Sequence, residues 1–227
     1  MPKVDLTTDT VRDLNQRLHD LEPGTNEMDW RVINPMGAHA IAVGLEAPVH
    51  VEIDGHVGYY CAGMNKEATV VVHGNVGTGF GENIMSGTVI CHGNASQSAG
   101  ATGHGGLVVV RGDTSARCGI SMKGVDIVVG GSVGHMSAFM AQAGHLVVCG
   151  DAGADLGDSI YEATIYVRGD VESLGSDCVE KEMTPEHVAK VRELLQRAGI
   201  EADASQFRRY GSARKLYNFN IDHAANY

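Results

Sequence analysis

The chain has 227 residues and a formal net charge of −11 at pH 7; 43% of its residues are hydrophobic but only 5% are aromatic. That acidity argues against a nucleic-acid or anionic-membrane partner, because such binding draws on clustered Lys and Arg. A core with so few aromatics must be built from small and branched side chains, and 30 glycines, nearly double the usual share of about 7%, imply that glycine is needed at fixed places.

No run reaches the roughly 18 apolar residues of a membrane span, and the start MPKVDLTTDTVRDL has no secretory apolar region. Cys61, Cys91, Cys118, Cys149 and Cys178 lie 27 to 31 residues apart, without a CxxC or CxH pair. This spacing offers no zinc or iron–sulfur cradle, and an odd count is a poor disulfide framework, so a reducing cytoplasm is the expected location. In chain order, Thr7 or Thr8 can cap a helix with Val11, Leu14, Leu18 and Leu21 on one face, ended by Glu22-Pro23-Gly24. Residues 1–32 are read as this helix and a lead-in, the stretch from Trp30 to Val49 running on into the first repeat.

Residues 33–177 are organised by a repeat. Glycine stands at 55, 74, 93, 112, 131, 150 and 169, seven times at a constant interval of 19. Four residues before each come Val51, Val70, Val89, Val108, Ile127, Leu146 and Ile165; two before come Ile53, Val72, Cys91, Val110, Val129, Val148 and Val167. Apolar residues two apart describe a strand with one face inward. Gly55, Gly74, Gly93, Gly112, Gly131, Gly150 and Gly169 then supply a turn conformation closed to residues with a Cβ. Seven residues after each glycine every side chain is small: Ala62, Gly81, Gly100, Gly119, Ala138, Gly157 and Ser176. The fold class is therefore all-β: a single-stranded, right-handed parallel β-helix (a β-solenoid) with 19-residue rungs and flanking N- and C-terminal helices. Seven rungs at about 4.8 Å each make a rod roughly 30 Å or more long.

The repeat settles several tempting motifs. The stretch VVVHGNVGTGFGENIMSG (70–87) looks like a strand entering a phosphate loop, but its glycines recur from rung to rung and no GK[ST] follows. RGD at Arg111–Asp113 and Arg168–Asp170 falls on the repeat glycine both times. The residues after the glycines (His56, Asn75, Asn94, Asp113, Ser132, Asp151, Asp170) are polar throughout, as for side chains that cap a turn. His73 and His92 share a register one rung apart and read as stacked neighbours in preference to a metal pair. Cys61 and Cys118 lie three rungs apart, too far for a disulfide. His104 and His135 break the column pattern and can face the surface, yet no GxSxG or HExxH frame accompanies them. No catalytic, cofactor-binding or metal-binding residue is assigned.

Beyond the rungs, residues 178–200 hold a second helix: Thr184-Pro185 starts it, Val188, Val191, Leu195 and Ala198 form its stripe, and Gly199 stops it. Both helices are suited to cover the open ends of the rod or to dock partners. The tail, 201–227, is basic and aromatic. Phe207, Arg208, Arg209, Tyr210, Arg214, Lys215, Tyr217 and Phe219 are its candidate partner-binding residues, since Arg and Tyr are over-represented at interface hot spots. The tail is read as a strap to a neighbouring subunit, folding back on its own body being the alternative.

Rungs of this kind, with Met85-Ser86-Gly87, resemble the C-terminal GXGXG domain of the glutamate synthase large subunit, and are also similar to the solenoid subunit of formylmethanofuran dehydrogenase. GDAGADLGDSIYEA (150–163), ARCGISMKGVDIVVGGSVGHMSAFMAQAG (116–144) and FRRYGSARKLYNF (207–219) resemble more closely the solenoid-only subunits of methylamine–glutamate N-methyltransferase. The first resemblance covers about 33–177, the second nearly the whole chain. It implies a non-catalytic structural subunit of a heteromeric flavoenzyme that forms N-methylglutamate from glutamate and methylamine with release of ammonia. The implied partners are a glutamine amidotransferase-like subunit and a synthase-like subunit holding FMN and an iron–sulfur cluster, with no cofactor in this chain. A solenoid enzyme of the hexapeptide type fits poorly, because its rungs are multiples of six, usually about 18 residues.

Overall fold

A computed structural model describes residues 1–21, 24 and 28–214. It is a β-solenoid. The elements in chain order are β1 (Lys3–Asp5), α1 (Val11–His19), β2 (Asp29–Ile33), β3 (His50–Asp54), β4 (Thr69–Val72), β5 (Thr88–Cys91), β6 (Leu107–Val110), β7 (Lys123–Val129), β8 (Ala143–Val148), β9 (Thr164–Val167), β10 (Cys178–Lys181), α2 (Pro185–Ala198) and β11 (Arg208–Ser212). One sheet contains every strand, in the order β1 to β9, then β11, then β10. From β1 to β9 each strand pairs in parallel with the next. Eight spacings of about 4.8 Å carry this stack roughly 38 Å.

The register is the repeat itself. Val51 pairs with Val70, Val70 with Val89, and so on through Val108, Ile127 and Leu146 to Ile165, while Ile53 heads the parallel column ending at Val167. All of these side chains are buried and point into the coil. The stack begins before the first 19-residue repeat, because β1 and β2 already pair in parallel, and Trp30 and Val32 sit under Val51 and Ile53. Those two strands lie within the stretch read from the sequence as helix and lead-in.

The repeat glycines act differently from the sequence expectation. Apart from Gly55 at φ 132°, they are not in the left-handed region at all. They are glycine because the rungs touch there. A Cβ on Gly74 would lie 2.5 Å from the Gly55 carbonyl oxygen; on Gly112 and Gly131 it would overlap Asn94 Oδ1 and Asp113 Oδ1 of the preceding rung. Those polar atoms belong to the column after the glycine, and they bridge rungs instead of capping turns. The Asn94 amide donates to Asn75 Oδ1 (2.9 Å), Asp113 to Asn94 Oδ1 (2.9 Å), Ser132 to Asp113 Oδ1 (2.8 Å), Asp151 to Ser132 Oγ (2.9 Å) and Asp170 to Asp151 Oδ1 (2.8 Å). At the start of the ladder the Asn75 amide donates to His56 Nδ1 (2.9 Å).

Left-handed backbone recurs in three columns at the opposite corner, and singly at strand entries such as Gly87 and Gly106. Tyr60, Gly79, Ser98, Arg117, Met136 and Asp155 form one, Ala62, Gly81, Gly100, Gly119, Ala138 and Gly157 the next, and Met64, Asn83, Thr102, Ser121, Met140 and Ser159 the third. Alternating conformation turns successive amides toward opposite neighbours. Gly79 N–H donates forward to Gln97, Gly81 back to Cys61 and Asn83 forward to Ala101, so the corner satisfies its backbone without a regular strand. Only the middle column faces packed side chains, and it alone is restricted to Gly and Ala; a Cβ on Gly100 would lie 2.5 Å from Ile127 Cδ1.

α1 covers the first end of the rod. Leu14 and Leu18 are buried, and one amide side chain closes the exposed rung edge: Asn15 Nδ2 donates to Ala40 O (2.8 Å) while Asn15 Oδ1 accepts from Ala42 N (2.9 Å). Its N-cap is Thr10, whose Oγ1 accepts from Asp13 N (3.1 Å). Thr7 and Thr8 are not the cap, because the turn after β1 engages them: Thr7 N–H and O–H donate to the Asp5 carboxylate and Thr8 O–H to the Asp5 carbonyl. Of the expected helix stop, Glu22 and Pro23 lie outside the described residues.

α2 covers no end. It starts at Thr184, stops at Gly199 (φ 61°), and lies on the outer face of the sheet over β6 to β9. There Val191, Leu194, Leu195 and Ala198 join Leu107, Val109, Val128, Val147 and Tyr166 in a second core outside the coil. Arg197 donates to Asp126 Oδ2 (3.1 Å), and His145 Nδ1 lies 2.8 Å from Asp126 Oδ1. Burial would raise the Asp126 carboxyl, but the His145 hydrogen bond and the surrounding positive charges outweigh it and hold the group below its ordinary range.

The glycine column generates a prediction. Gly112→Ala should lower the unfolding free energy by about 1–3 kcal/mol, the usual cost of overpacking, and Asn94→Ala by about 1 kcal/mol through its lost backbone partner. Because the new methyl meets Asn94 Oδ1 first, the double variant should be less destabilised than the sum of the two, as read by urea denaturation.

Candidate partner-binding site

The sequence places its functional candidates on the C-terminal tail, and the structure shows where the first of them go. β11 enters the sheet antiparallel between β9 and β10, pairing Tyr210 with Ile165 on one side and with Glu180 on the other. Ala204–Gln206 forms one 3-10 turn that brings the chain to this slot. The insertion covers the last rung edge with strand, where a bare parallel edge would otherwise recruit another chain.

Each side chain of this segment contacts the body. Phe207 is 3% exposed, in the second core with α2; Tyr210 is 2% exposed, in the core of the coil. Arg208 donates to the Gly169 carbonyl and faces Asp170 at 3.9 Å. Arg209 Nε donates to the Glu182 carbonyl at 2.8 Å, and Arg214 pairs with Asp177. Lys215, Tyr217 and Phe219 lie outside the described residues. The segment 207–214 is thus folded back on its own chain, and the strap reading keeps only residues 215–227.

A hollow of about 270 Å3 beside Arg214, the last described residue, is lined by Tyr161, Glu162, Lys181, Arg209, Ser212 and Arg214 among others. Leu174 and Val179, also near this end of the rod, are exposed. Along the left-handed corner, Met64, Met85 and Met140 expose thioether side chains in the third column or two residues beyond it. Such a surface suits docking, since Met adapts to a partner's shape.

The remaining candidates are placed as follows. All five cysteines are free and buried. Burial raises their thiols, Cys91 and Cys178 to about 11 and Cys118 to about 12, with Cys61 pushed higher still. Thiols held protonated in this way suit inert packing. Arg111 donates to the Gly199 carbonyl, and Arg168 Nε to the Cys149 carbonyl (2.8 Å), so both RGD arginines hold the fold together. His135 Nδ1 lies 3.5 Å from Asp155 Oδ2 on an exposed corner; His104 is exposed, and its amide joins the ladder to Ile84. The His73 and His92 rings are neighbours, their centroids 4.9 Å apart and their planes tilted by 35°. Carboxylates beside His73, Glu52 and Asp54, escaped the sequence reading, although Asp54 stands one period before His73 in the same column. No helix among the described residues is long and apolar enough to cross a membrane.

Docking of 207–214 on the body generates a second prediction. In the isolated chain Phe207→Ala should cost about 3–5 kcal/mol of stability, the usual range for a buried Phe. Arg214→Ala, removing an exposed pair, should cost no more than about 1 kcal/mol; thermal unfolding of each variant checks both.

No protein-family model matches the chain. It is similar to Protein GlxC of Rhizobium meliloti (strain 1021), with 59% identity over 228 residues that span 100% of both chains. Identity at that level along the whole length, through solenoid, α2 and tail alike, means that the chain belongs to the GlxC family.

Proposed function

We propose that this chain is the non-catalytic scaffold subunit of a heteromeric glutamate-synthase-like flavoenzyme, one that forms N-methylglutamate from glutamate and methylamine with release of ammonia. The observation that carries the reading is the uninterrupted ladder: nine parallel strands in one sheet, cross-linked at both corners and covered at both ends. The glycines and polar columns that resemble a ligand loop in the sequence are engaged by neighbouring rungs. What such an object does well is hold two bodies at a constant separation. The full-length similarity to GlxC supports the family context, and the resemblance of the rungs to the glutamate synthase GXGXG domain supports the class of complex.

In this reading the partners are a glutamine amidotransferase-like subunit and a synthase-like subunit that carries FMN and an iron–sulfur cluster. The rod keeps their active sites at a fixed distance, so that a small amine released at one is consumed at the other without dilution. Coupling of this kind needs a spacer that does not bend. A stack in which each rung bonds to both neighbours supplies one.

The test is assembly followed by assay. Co-expressed with both partner subunits, the chain should copurify with them, and the complex should convert glutamate and methylamine to N-methylglutamate, while the chain alone should show no turnover. Turnover by the chain alone, or copurification with pterin-dependent subunits in place of the flavin subunit, would overturn the reading. Deletion of residues 215–227 leaves β11 in its slot, and should weaken copurification while thermal stability is retained; unchanged assembly removes the tail from the interface.

A further inference from the structure

The outer face of the sheet is divided. Over β6 to β9 its side chains are largely apolar and lie under α2, with Ile90 of β5 at the margin, whereas over β3 and β4 no residue joins that second core and the outward side chains are polar and partly exposed, buried Val71 excepted. Three of these come from alternate positions of β3, namely His50, Glu52 and Asp54, and so project from the same face. One rung on, His73 follows β4 in register with Asp54.

Their spacing is that of ligands on one ion. Glu52 Oε2 lies 3.2 Å from His73 Nε2, and Glu52 Oε1 lies 3.2 Å from His50 Nε2. Two donors each about 2.0–2.2 Å from a metal, at tetrahedral or octahedral angles, are themselves about 3–3.5 Å apart. One donor atom each of Glu52, Asp54 and His73 falls within 4.8 Å of the other two, so a modest rotation of the half-exposed Asp54 carboxylate closes the set. Asp54 is oriented from behind: Arg31 Nε donates to its Oδ2 at 2.7 Å and leaves Oδ1 for a ligand. Such an outer partner is what a ligating carboxylate ordinarily has.

We propose that Glu52, Asp54 and His73 form a binding site for a divalent first-row transition ion such as Zn2+. One imidazole and two carboxylates suit such an ion better than Mg2+ or Ca2+, which favour oxygen alone. Three protein ligands leave the outward coordination position open. His50 and His92 flank the site, the first on Glu52 and the second beside the His73 ring. The site lies on the scaffold's own surface, and its existence does not depend on the identity of the partner subunits.

The experiment is a titration of the untagged full-length chain with Co2+, followed by its visible absorption, and with Zn2+ by calorimetry. The wild-type chain should take up one ion, with a cobalt spectrum showing nitrogen and oxygen ligation. Loss of an outer partner alone usually costs about 10–100-fold in affinity, so His73→Ala and Glu52→Gln should each weaken binding by at least about tenfold. His104→Ala and His135→Ala should leave it unchanged, and circular dichroism will establish that each variant is folded. Absence of stoichiometric binding by the folded wild-type chain, or binding that His73→Ala and Glu52→Gln leave intact, would overturn the proposal.

Discussion

Consecutive coils of this protein come together at the glycine column until the backbone of one rung lies against the next, and the remaining architecture follows from that approach. A single methyl group at Gly112 or Gly131 would fall on the Asn94 or Asp113 side chain that joins the rungs. These side chains accept from the backbone amide one period later, so a turn that would otherwise present unpaired N–H groups becomes a second ladder beside the sheet. Close approach and hydrogen bonding therefore impose the same spacing. With that spacing set, the apolar columns from Val51 to Ile165 and from Ile53 to Val167 stack like on like, and the core needs few aromatic side chains.

A stack of this kind is quasi-one-dimensional, and its weak points are its two ends and its flat outer face. The chain treats each differently. At the first end Asn15 uses both halves of its amide on one rung edge. At the far end β11 turns back against the direction of the stack, which ends the parallel series and seats Tyr210 in the core. On the outer face α2 covers β6 to β9, whose outward residues are largely apolar, and the region of His50, Glu52 and His73 lies outside that core.

A scaffold contributes rigidity and surface. Rigidity follows from the ladders and from α1, α2 and β11, all packed on one continuous body. Surface is offered by the thioethers of Met64, Met85 and Met140 along one corner and by the polar hollow lined by Lys181, Arg209 and Arg214. The five free cysteines are buried and pack as small core side chains.

The 19-residue period was enough to reveal the coil, the register of β3 to β9 and the inward columns, because residues one period apart are direct neighbours and share one environment. The period could not say why glycine recurs. Left-handed φ and close approach both demand glycine, and only the coordinates separate them, assigning the first to the Ala62–Gly157 corner and the second to Gly74 and its equivalents. Nor does periodicity reach contacts between the stack and segments outside it, such as Arg197 on Asp126 or Phe207 beside α2. The composition of 207–214 suits an interface whether its partner is another chain or its own; that it lies on its own body was settled by the free sheet edge beside β9, which pairs with the nearest available strand. The meeting of Glu52 with His73 was likewise out of reach, since the two stand in different columns and are joined only when adjacent rungs lie about 4.8 Å apart.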